Sequence, residues 1–161
     1  MGEIAQLLGV IDRAYDRTSW HGVNLRGSIR RVSMADAARR PARGAHNIWE
    51  LTVHAAYWKY AVRRFITGEP RGSFPLKGSD WFRRPVSRTE AAWRDDKRLL
   101  DDQHRALRAV IADLTPRGLK RPSARKRYTV FDLVSGVAAH DLYHAGQIQL
   151  VKRLIAPRKG A

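Results

Sequence analysis

The sequence predicts an all-α protein built as a four-helix bundle, and two observations carry this prediction. Four stretches place apolar residues at helical spacing, whereas no stretch alternates apolar and polar residues as a strand does. The last three stretches each follow a residue that favours helix N-termini, namely Asn47, Ser87 and Thr129. A chain of 161 residues with 43% hydrophobic content can form one domain with a buried core. We expect this domain to span residues 1–156, followed by a tail at residues 157–161.

The first predicted helix runs from about Glu3 to Thr18, because its apolar residues recur on one face. That stripe comprises Ile4, Leu7, Leu8, Ile11, Ala14 and Tyr15. The connection that follows, Ser19 to His46, is much longer than a tight turn needs. Connections of this length in compact domains are often binding or lid segments.

The second helix opens at Asn47, with Glu50 placed three residues later to complete a capping box. Gly68 predicts its end. Its apolar stripe comprises Leu51, His54, Trp58, Ala61, Val62 and Phe65. The next connection contains Gly72, Pro75, Gly78 and Pro85. Because it is long enough to travel the length of a bundle, we expect helices two and three to run parallel.

The third helix is predicted to open at Ser87, with a glutamate three residues later, and to end at Pro116. Its seam repeats every seven residues through Trp93, Leu100, Leu107 and Leu114. The fourth helix opens at Thr129, with Asp132 in the capping relation, and Pro157 ends it. Its stripe comprises Leu133, Val137, His140, His144, Ile148, Val151 and Ile155.

Charge and cysteine content restrict the classes of function. The 31 Lys and Arg residues against 15 Asp and Glu give a net charge of +16, which favours anionic partners. The chain has no cysteine, which excludes disulfides, thiolate ligands and a cysteine nucleophile. No apolar run approaches the length of a membrane span. We therefore expect a cytoplasmic protein with no membrane partner.

Three histidines form the most informative pattern. His140 and His144 are one helical turn apart on the apolar stripe of the fourth helix, and His54 lies on the stripe of the second. Both stripes face the core, so the three imidazoles are predicted to meet inside the bundle. Two interpretations stay open on the pattern alone: a shared metal ion, or separate core histidines that each find a hydrogen-bond partner.

The sequence resembles the DinB/YfiT-like family of bacterial metal-binding four-helix bundles. The resemblance is carried by WHG at Trp20–Gly22, HNIWELTVHAAYW at His46–Trp58 and HDLYHAGQI at His140–Ile148, and it covers about residues 1–156. It implies an up-down-down-up helix order. It also implies that His54, His140 and His144 are the metal ligands, and it suggests a homodimer.

Three neutral nitrogen ligands suit zinc, with nickel or iron as alternatives. Such a site keeps a coordination position open for water or substrate, as catalytic zinc sites do. The resemblance implies a metal-dependent hydrolase or a thiol-dependent S-transferase that acts on a small molecule. In the second case a low-molecular-weight thiol must be supplied as cosubstrate, since the chain has none. The reacting group at the metal would be water in a hydrolase and thiolate in a transferase.

Several side chains are candidates for the surroundings of the metal. His46 is a candidate for proton transfer or for the mouth of the site, Trp58 for a pocket wall, and Gln147 for a bond to a ligand ring or to substrate. Each also has an interpretation without function: His46 as a loop histidine, Trp58 as a core tryptophan and Gln147 as a surface glutamine. His104 is interpreted as a core-edge histidine, and Glu50 as the second half of the capping box rather than a partner of His54.

A second hypothesis belongs to a different class: a DNA-damage or stress-associated binding protein with a structural metal and non-specific affinity for nucleic acid. The net positive charge favours it, and residues 115–127 contain six basic side chains and no acidic one. No aromatic residues are interleaved there for base stacking, so the segment is more typical of a solvated loop. Steep salt dependence of DNA binding would support this hypothesis.

Overall fold

The structure is a computed structural model that describes residues 2–157, and these residues contain helices but no β-strand. The helices are α1 (Glu3–Tyr15), α2 (Leu25–Ile29), α3 (Met34–Ala38), α4 (Ile48–Thr67), α5 (Glu90–Ala112), α6 (Pro116–Lys120) and α7 (Val130–Ile155). The prediction of an all-α protein is confirmed. Residues 158–161 of the predicted tail lie outside the described residues.

Helices α4 and α7 begin at the predicted residues. The Asn47 side chain accepts a hydrogen bond from the backbone N–H of Glu50, and Thr129 and Asp132 form a complete capping box. Gly68 ends α4 with φ at 80°, in the left-handed region that a side chain makes unfavourable. These three local signals therefore place both helices that carry the candidate histidines.

The boundaries predicted for the third helix are wrong at both ends. Thr89 rather than Ser87 caps α5, because its hydroxyl accepts the backbone N–H of Ala92. Pro116 does not end α5, which stops at Ala112; it opens α6, where the missing N–H of proline costs nothing. Several residues with capping or breaking character stand close together at each end, and local preference does not choose among them.

The two long connections differ. The first contains α2 and α3, whose N-termini are capped by the side chains of Asn24 and Ser33. The second, residues 68–89, has no helix and lies against α4, where the hydroxyl of Tyr60 accepts the backbone N–H of Gly72. Within residues 2–157, no helix combines the length and apolar character required to cross a bilayer.

Two apolar clusters fill the interior. The first joins the beginnings of α4 and α5 to the end of α7, and its members include Trp49, Trp93 and Ile148. The second joins α1 to the opposite parts of the same three helices, and its members include Ile11, Val62, Leu107 and Val134. The four long helices thus share one interior, and the predicted seam residues Trp93, Leu100 and Leu107 are fully buried in it.

A buried ion pair crosses this interior. Lys59 of α4 and Asp141 of α7 are 0% and 1% exposed, and the ammonium donates a hydrogen bond to the carboxylate. The Lys59 ammonium also lies 4.8 Å from the centre of the Tyr15 ring. On Tyr15 stacks His104, whose centroid is 3.6 Å away. Burial, together with the charge of Lys59, lowers the pKa of His104 to about 3, so its ring is neutral at pH 7.

Candidate metal centre

Three histidine side chains from two helices meet in the interior. His54 lies on α4, and His140 and His144 lie on successive turns of α7. The Nε2 atom of His140 is 3.2 Å from Nε2 of His54 and 3.0 Å from Nε2 of His144. Each ring thus offers a nitrogen, and these nitrogens lie within 4.8 Å of one another. The three side chains that the sequence places on two core-facing stripes do come together.

Helical spacing explains the pair on α7. Residues four apart in a helix project from the same face, and the rings of His140 and His144 lie 4.2 Å apart between centroids. Val137 and Ile148 are buried on that face on either side of the pair. Their burial turns this face inward, and the two imidazoles turn with it.

Hydrogen bonds to the other ring nitrogen fix the tautomers of two of the rings. Nδ1 of His54 lies 2.9 Å from the backbone carbonyl oxygen of Asp80, and Nδ1 of His144 lies 2.7 Å from Oε1 of Gln147. Both oxygens only accept, so each Nδ1 carries the proton and donates it. The amide nitrogen of Gln147 in turn donates to the Tyr143 hydroxyl at 3.1 Å, so both polar ends of the amide have partners. Nε2 of His54 and of His144 therefore present lone pairs.

These lone pairs fit a single cation. Both converge on Nε2 of His140, which can donate a proton to one of them but not to both. Nitrogens held about 2.0–2.1 Å from a tetrahedral ion lie roughly 3.3 Å apart, close to the separations seen here. Nδ1 of His140 is buried and has no hydrogen-bond partner among the described residues. The donor set therefore matches a metal ion better than a hydrogen-bonded histidine core.

The electrostatic setting keeps all three rings neutral. Burial, together with the neighbouring imidazoles, lowers the pKa of His140 to about 3 and that of His144 to about 4. Burial also lowers the pKa of His54, although the carbonyl and carboxylate of Asp80 oppose the shift. Since neutral imidazole is the form that binds metals, protons compete little for this site at pH 7.

Two tryptophans and an aspartate surround His54. The indole of Trp81 stacks on its ring with centroids 3.8 Å apart, and Trp58 contacts it edge-on at 6.3 Å. The carboxylate of Asp80 accepts the indole N–H of Trp58 at 2.8 Å and lies 3.3 Å from Nδ1 of His54. Asp80 adopts a positive φ of 66°, a conformation that aspartate tolerates better than most residues. The backbone turn at Asp80 thus holds its carbonyl against the ligand ring.

His46 lies next to this group but outside the cluster of three. Its ring stacks on the other side of Trp81, with centroids 3.6 Å apart, so the indole separates His46 from His54. Nδ1 of His46 is 3.0 Å from the Glu50 carboxylate. Burial favours the neutral form of Glu50, but hydrogen bonds from Arg40 and His46 outweigh it and hold its pKa below the usual range. A charged Glu50 makes Nδ1 of His46 the donor and leaves its Nε2 free to accept a proton.

This arrangement overturns the role predicted for Glu50. Its carboxylate does not return to the backbone of Asn47 as a capping box requires; it binds Arg40, His46 and the backbone N–H of Arg84. It makes no hydrogen bond to His54 either, a partnership that the sequence favoured less than the capping role. The capping bond needs only the backbone N–H of Glu50. The carboxylate can therefore link the two long connections, by binding Arg40 in the first and Arg84 in the second.

Of the other candidates, Trp58 and Gln147 lie at the site, whereas His21 of the WHG segment lies on the surface. Trp58 contacts the rings of His54 and His140, and Gln147 bonds to His144, so both lie at the site. His21 contacts Ser19 and Trp20 on the surface, and its neighbour Trp20 is 96% exposed.

Sequence reasoning missed Asp80 and Trp81. Both lie in the irregular connection between α4 and α5, where no periodicity indicates which residues approach the core. The one available signal was chemical: a ligand histidine needs an acceptor for its second nitrogen, and acidic or carbonyl groups of a long connection can supply it.

Gln147→Leu should weaken metal binding without removing a ligand. The variant leaves Nδ1 of His144 without an acceptor, and loss of such an outer partner costs roughly 10–100-fold in metal affinity. The measurement is competition between the protein and a chromophoric chelator of known affinity. Gln147→Glu keeps an acceptor oxygen and should retain most of the affinity.

Gln149→Leu is the matched control, because Gln149 is on the same helix two residues further on and makes no hydrogen bond within the described residues. We expect it to bind metal as the wild type does. If Gln147→Leu and Gln149→Leu had the same affinity, the bond from His144 to Gln147 would have no part in holding the ring.

One of three comparisons with known proteins identifies a family for this chain. The family model described as the DinB superfamily matches residues 15–148, which is more than half of the chain and includes all three histidines. No curated protein and no solved structure matches the chain significantly. With its helical fold and its histidine cluster, the chain belongs to the DinB superfamily.

Proposed function

We propose that this protein is a metal-dependent enzyme that holds one divalent ion through His54, His140 and His144. The observation that carries the proposal is the convergence of three Nε2 atoms, two of them with lone pairs fixed by bonds at Nδ1. Zinc suits three neutral nitrogens without carboxylate or thiolate, and nickel and iron accept the same set. Three protein ligands leave a coordination position open, as catalytic sites do.

When bound by the three histidines, the ion would supply Lewis-acid chemistry, which polarises an oxygen or sulfur group of a substrate and lowers the pKa of an attacking water or thiol. The chain's own residues orient the ligands and shape the space around them. Asp80 and Gln147 hold the rings of His54 and His144 through Nδ1. Trp58 and Trp81 cover the faces and edges of the imidazoles and restrict access of water.

His46 is the candidate for proton transfer, although the indole of Trp81 lies between its ring and that of His54. Glu50 holds its Nδ1, which leaves Nε2 able to accept a proton from an attacking group and return it to a leaving group. The side chain of His46 is 43% exposed, so solvent reaches it. This pairing of an imidazole with a buried carboxylate is the arrangement by which many hydrolases orient a general base.

Two reaction classes use these parts: hydrolysis, and transfer of a group to a thiol. Because the chain contains no cysteine, the sulfur nucleophile of the second class must come from a small thiol cosubstrate. The strongly basic surface suits anionic thiols and their conjugates.

The proposal also includes the up-down-down-up order of the four long helices. Side-chain contacts support this order. They make α1 antiparallel to α5 and α4 antiparallel to α7, because residue numbers rise along one helix of each pair as they fall along the other. They make α4 and α5 parallel, because the beginnings of these two helices are in contact. The contacts are Tyr15 with Asp101, Asp12 with Arg108, His54 with His144, Lys59 with Asp141, and Trp49 with Trp93. This order brings the two histidine-bearing helices together as antiparallel neighbours.

A panel of hydrolysis and thiol-conjugation substrates tests the function. Wild-type protein loaded with zinc should turn over at least one member, and chelator should abolish that turnover while added zinc restores it. His144→Ala should show no chelator-sensitive turnover, because a ligand is missing. Turnover that survives both chelation and His144→Ala would show that the three histidines do not carry the reaction.

A further inference from the structure

Two cavities meet at Trp58. One has a volume of about 440 Å³ and is lined by Trp58, Asp80, Phe65 and three arginines, Arg64, Arg71 and Arg125. The other has about 230 Å³ and reaches His140. The Trp58 ring lies 6.3 Å from that of His54 and 6.1 Å from that of His140, so the smaller cavity borders the candidate metal centre and the larger one lies beside it, next to Trp58 and Asp80.

The arginines of the larger cavity converge from three segments. Arg64 is on α4, Arg71 follows in the second connection, and Arg125 lies in the loop before α7. The Arg64 and Arg125 guanidiniums lie 5.6 and 4.8 Å from the centre of the same ring, that of Phe65. The Nε–H of Arg64 donates hydrogen bonds to the backbone carbonyls of Glu69 and Pro70.

The backbone holds these arginines in place. The N–H of Ala124 donates to the carbonyl of Phe65 at 2.9 Å, which ties the loop that carries Arg125 to α4. The N–H of Gly72 donates to the hydroxyl of Tyr60 at 3.0 Å, which ties down the segment that carries Arg71.

The cations have no internal counter-charge. Within the described residues, none of the three arginines forms an ion pair. The single carboxylate of the cavity wall, Asp80, is directed to the indole N–H of Trp58 and to His54. Three like charges gathered in a cavity repel one another, and a bound anion relieves that repulsion. Guanidinium groups match carboxylate and phosphate oxygens in geometry as well as in charge.

The smaller cavity has the opposite character. Its wall is mainly apolar and includes Val62, Leu133, Val137 and the ring of Tyr128, with His140 at one end. Together the two cavities offer an apolar site beside the imidazole cluster and a cationic site on the other side of Trp58.

We propose that Arg64, Arg71 and Arg125 form an anion subsite, and that the substrate is a small molecule with a phosphate or carboxylate group next to an apolar portion. The anion binds the arginines and the apolar portion enters the cavity that ends at His140. The larger cavity by itself, at about 440 Å³, is of the size usual for small-molecule sites, about 300–1,000 Å³. The role as a substrate subsite rests on the proposed function, whereas the binding of the anion does not require the metal.

Calorimetric titration with phenyl phosphate and inorganic phosphate tests the subsite in chelator-treated protein, where no metal can hold the anion. The wild type should bind phenyl phosphate saturably, with one molecule per chain, and more tightly than inorganic phosphate. Arg71→Ala/Arg125→Ala should weaken binding by at least about tenfold, since two charge-assisted contacts are lost.

The matched control is Arg94→Ala/Arg117→Ala, which removes the same charge from two exposed arginines outside both cavities. It should change the affinity less than about twofold, because separated surface charges are screened at physiological salt. Equal weakening in both double variants, or no saturable binding, would overturn the subsite. So would saturable binding of duplex DNA without binding of either small anion.

The design separates this inference from the proposed function. Anion binding lost only in Arg71→Ala/Arg125→Ala supports the subsite even if no substrate is ever turned over. Chelator-sensitive turnover that is unchanged in this variant would support the enzyme and overturn the subsite.

Discussion

Replacing His144 with alanine is expected to strip the protein of its metal. Wild-type protein purified without chelator or affinity tag should carry about one divalent ion per chain. The variant should carry less than about a tenth of that, because loss of a ligand costs more than the roughly 10–100-fold that loss of an outer partner costs. Elemental analysis of the dialysed proteins measures the difference directly.

His104→Phe is the control for this experiment. His104 is also buried, at 5% exposed, but it stacks on Tyr15 and lies outside the cluster of three. Phenylalanine keeps the stacking, so the variant should fold and retain the metal of the wild type. Equal metal content in the two variants would reject the assignment of His144 as a ligand.

Lys59→Met is expected to produce the largest loss of stability. The change leaves the Asp141 carboxylate fully buried without its partner, and breaking a buried ion pair in this way costs about 3–5 kcal/mol. Urea unfolding of the wild type and the variant, both in chelator, measures the change in the free energy of unfolding. Chelator in both samples removes any difference in metal binding from the comparison.

Two further variants test the reason for that loss. Lys59→Met/Asp141→Leu removes both charges and should recover most of the stability, because no uncompensated charge stays in the core. Arg105→Met breaks the exposed pair with Asp102, whose side chains are 68% and 50% exposed, and should cost less than about 1 kcal/mol. A loss in Lys59→Met no larger than that in Arg105→Met would show that the pair is effectively solvated.

Local signals in the sequence predicted the helices that matter for the site. Asn47, Gly68 and Thr129 act through bonds within a few residues of themselves, so their effect does not depend on the rest of the fold. The start of α5 was predicted two residues early because Ser87 and Thr89 both favour the N-cap position, and local preference does not choose the one that caps the helix. The short helices α2 and α3 were missed, since five residues are too few to show a period.

The histidines could be predicted and their surroundings could not. Helical spacing puts His140 and His144 on one face, and an apolar stripe indicates that the face is buried. Asp80 and Trp81 lie in an irregular segment whose path depends on contacts distant in sequence, and no pattern encodes that path. The same holds for Glu50, whose carboxylate binds Arg40 and His46 only because the first connection folds back over the start of α4.

The bond network at Nδ1 has a consequence for the protein as a whole. His54 and His140 are 86 positions apart along the chain, so the proposed ion would act as a removable cross-link between α4 and α7. Without it, Nε2 of His140 can donate a proton to one of the two lone pairs but not to both, so one contact of this junction stays unsatisfied. Metal binding would therefore add to the stability of the bundle as well as supply its chemistry.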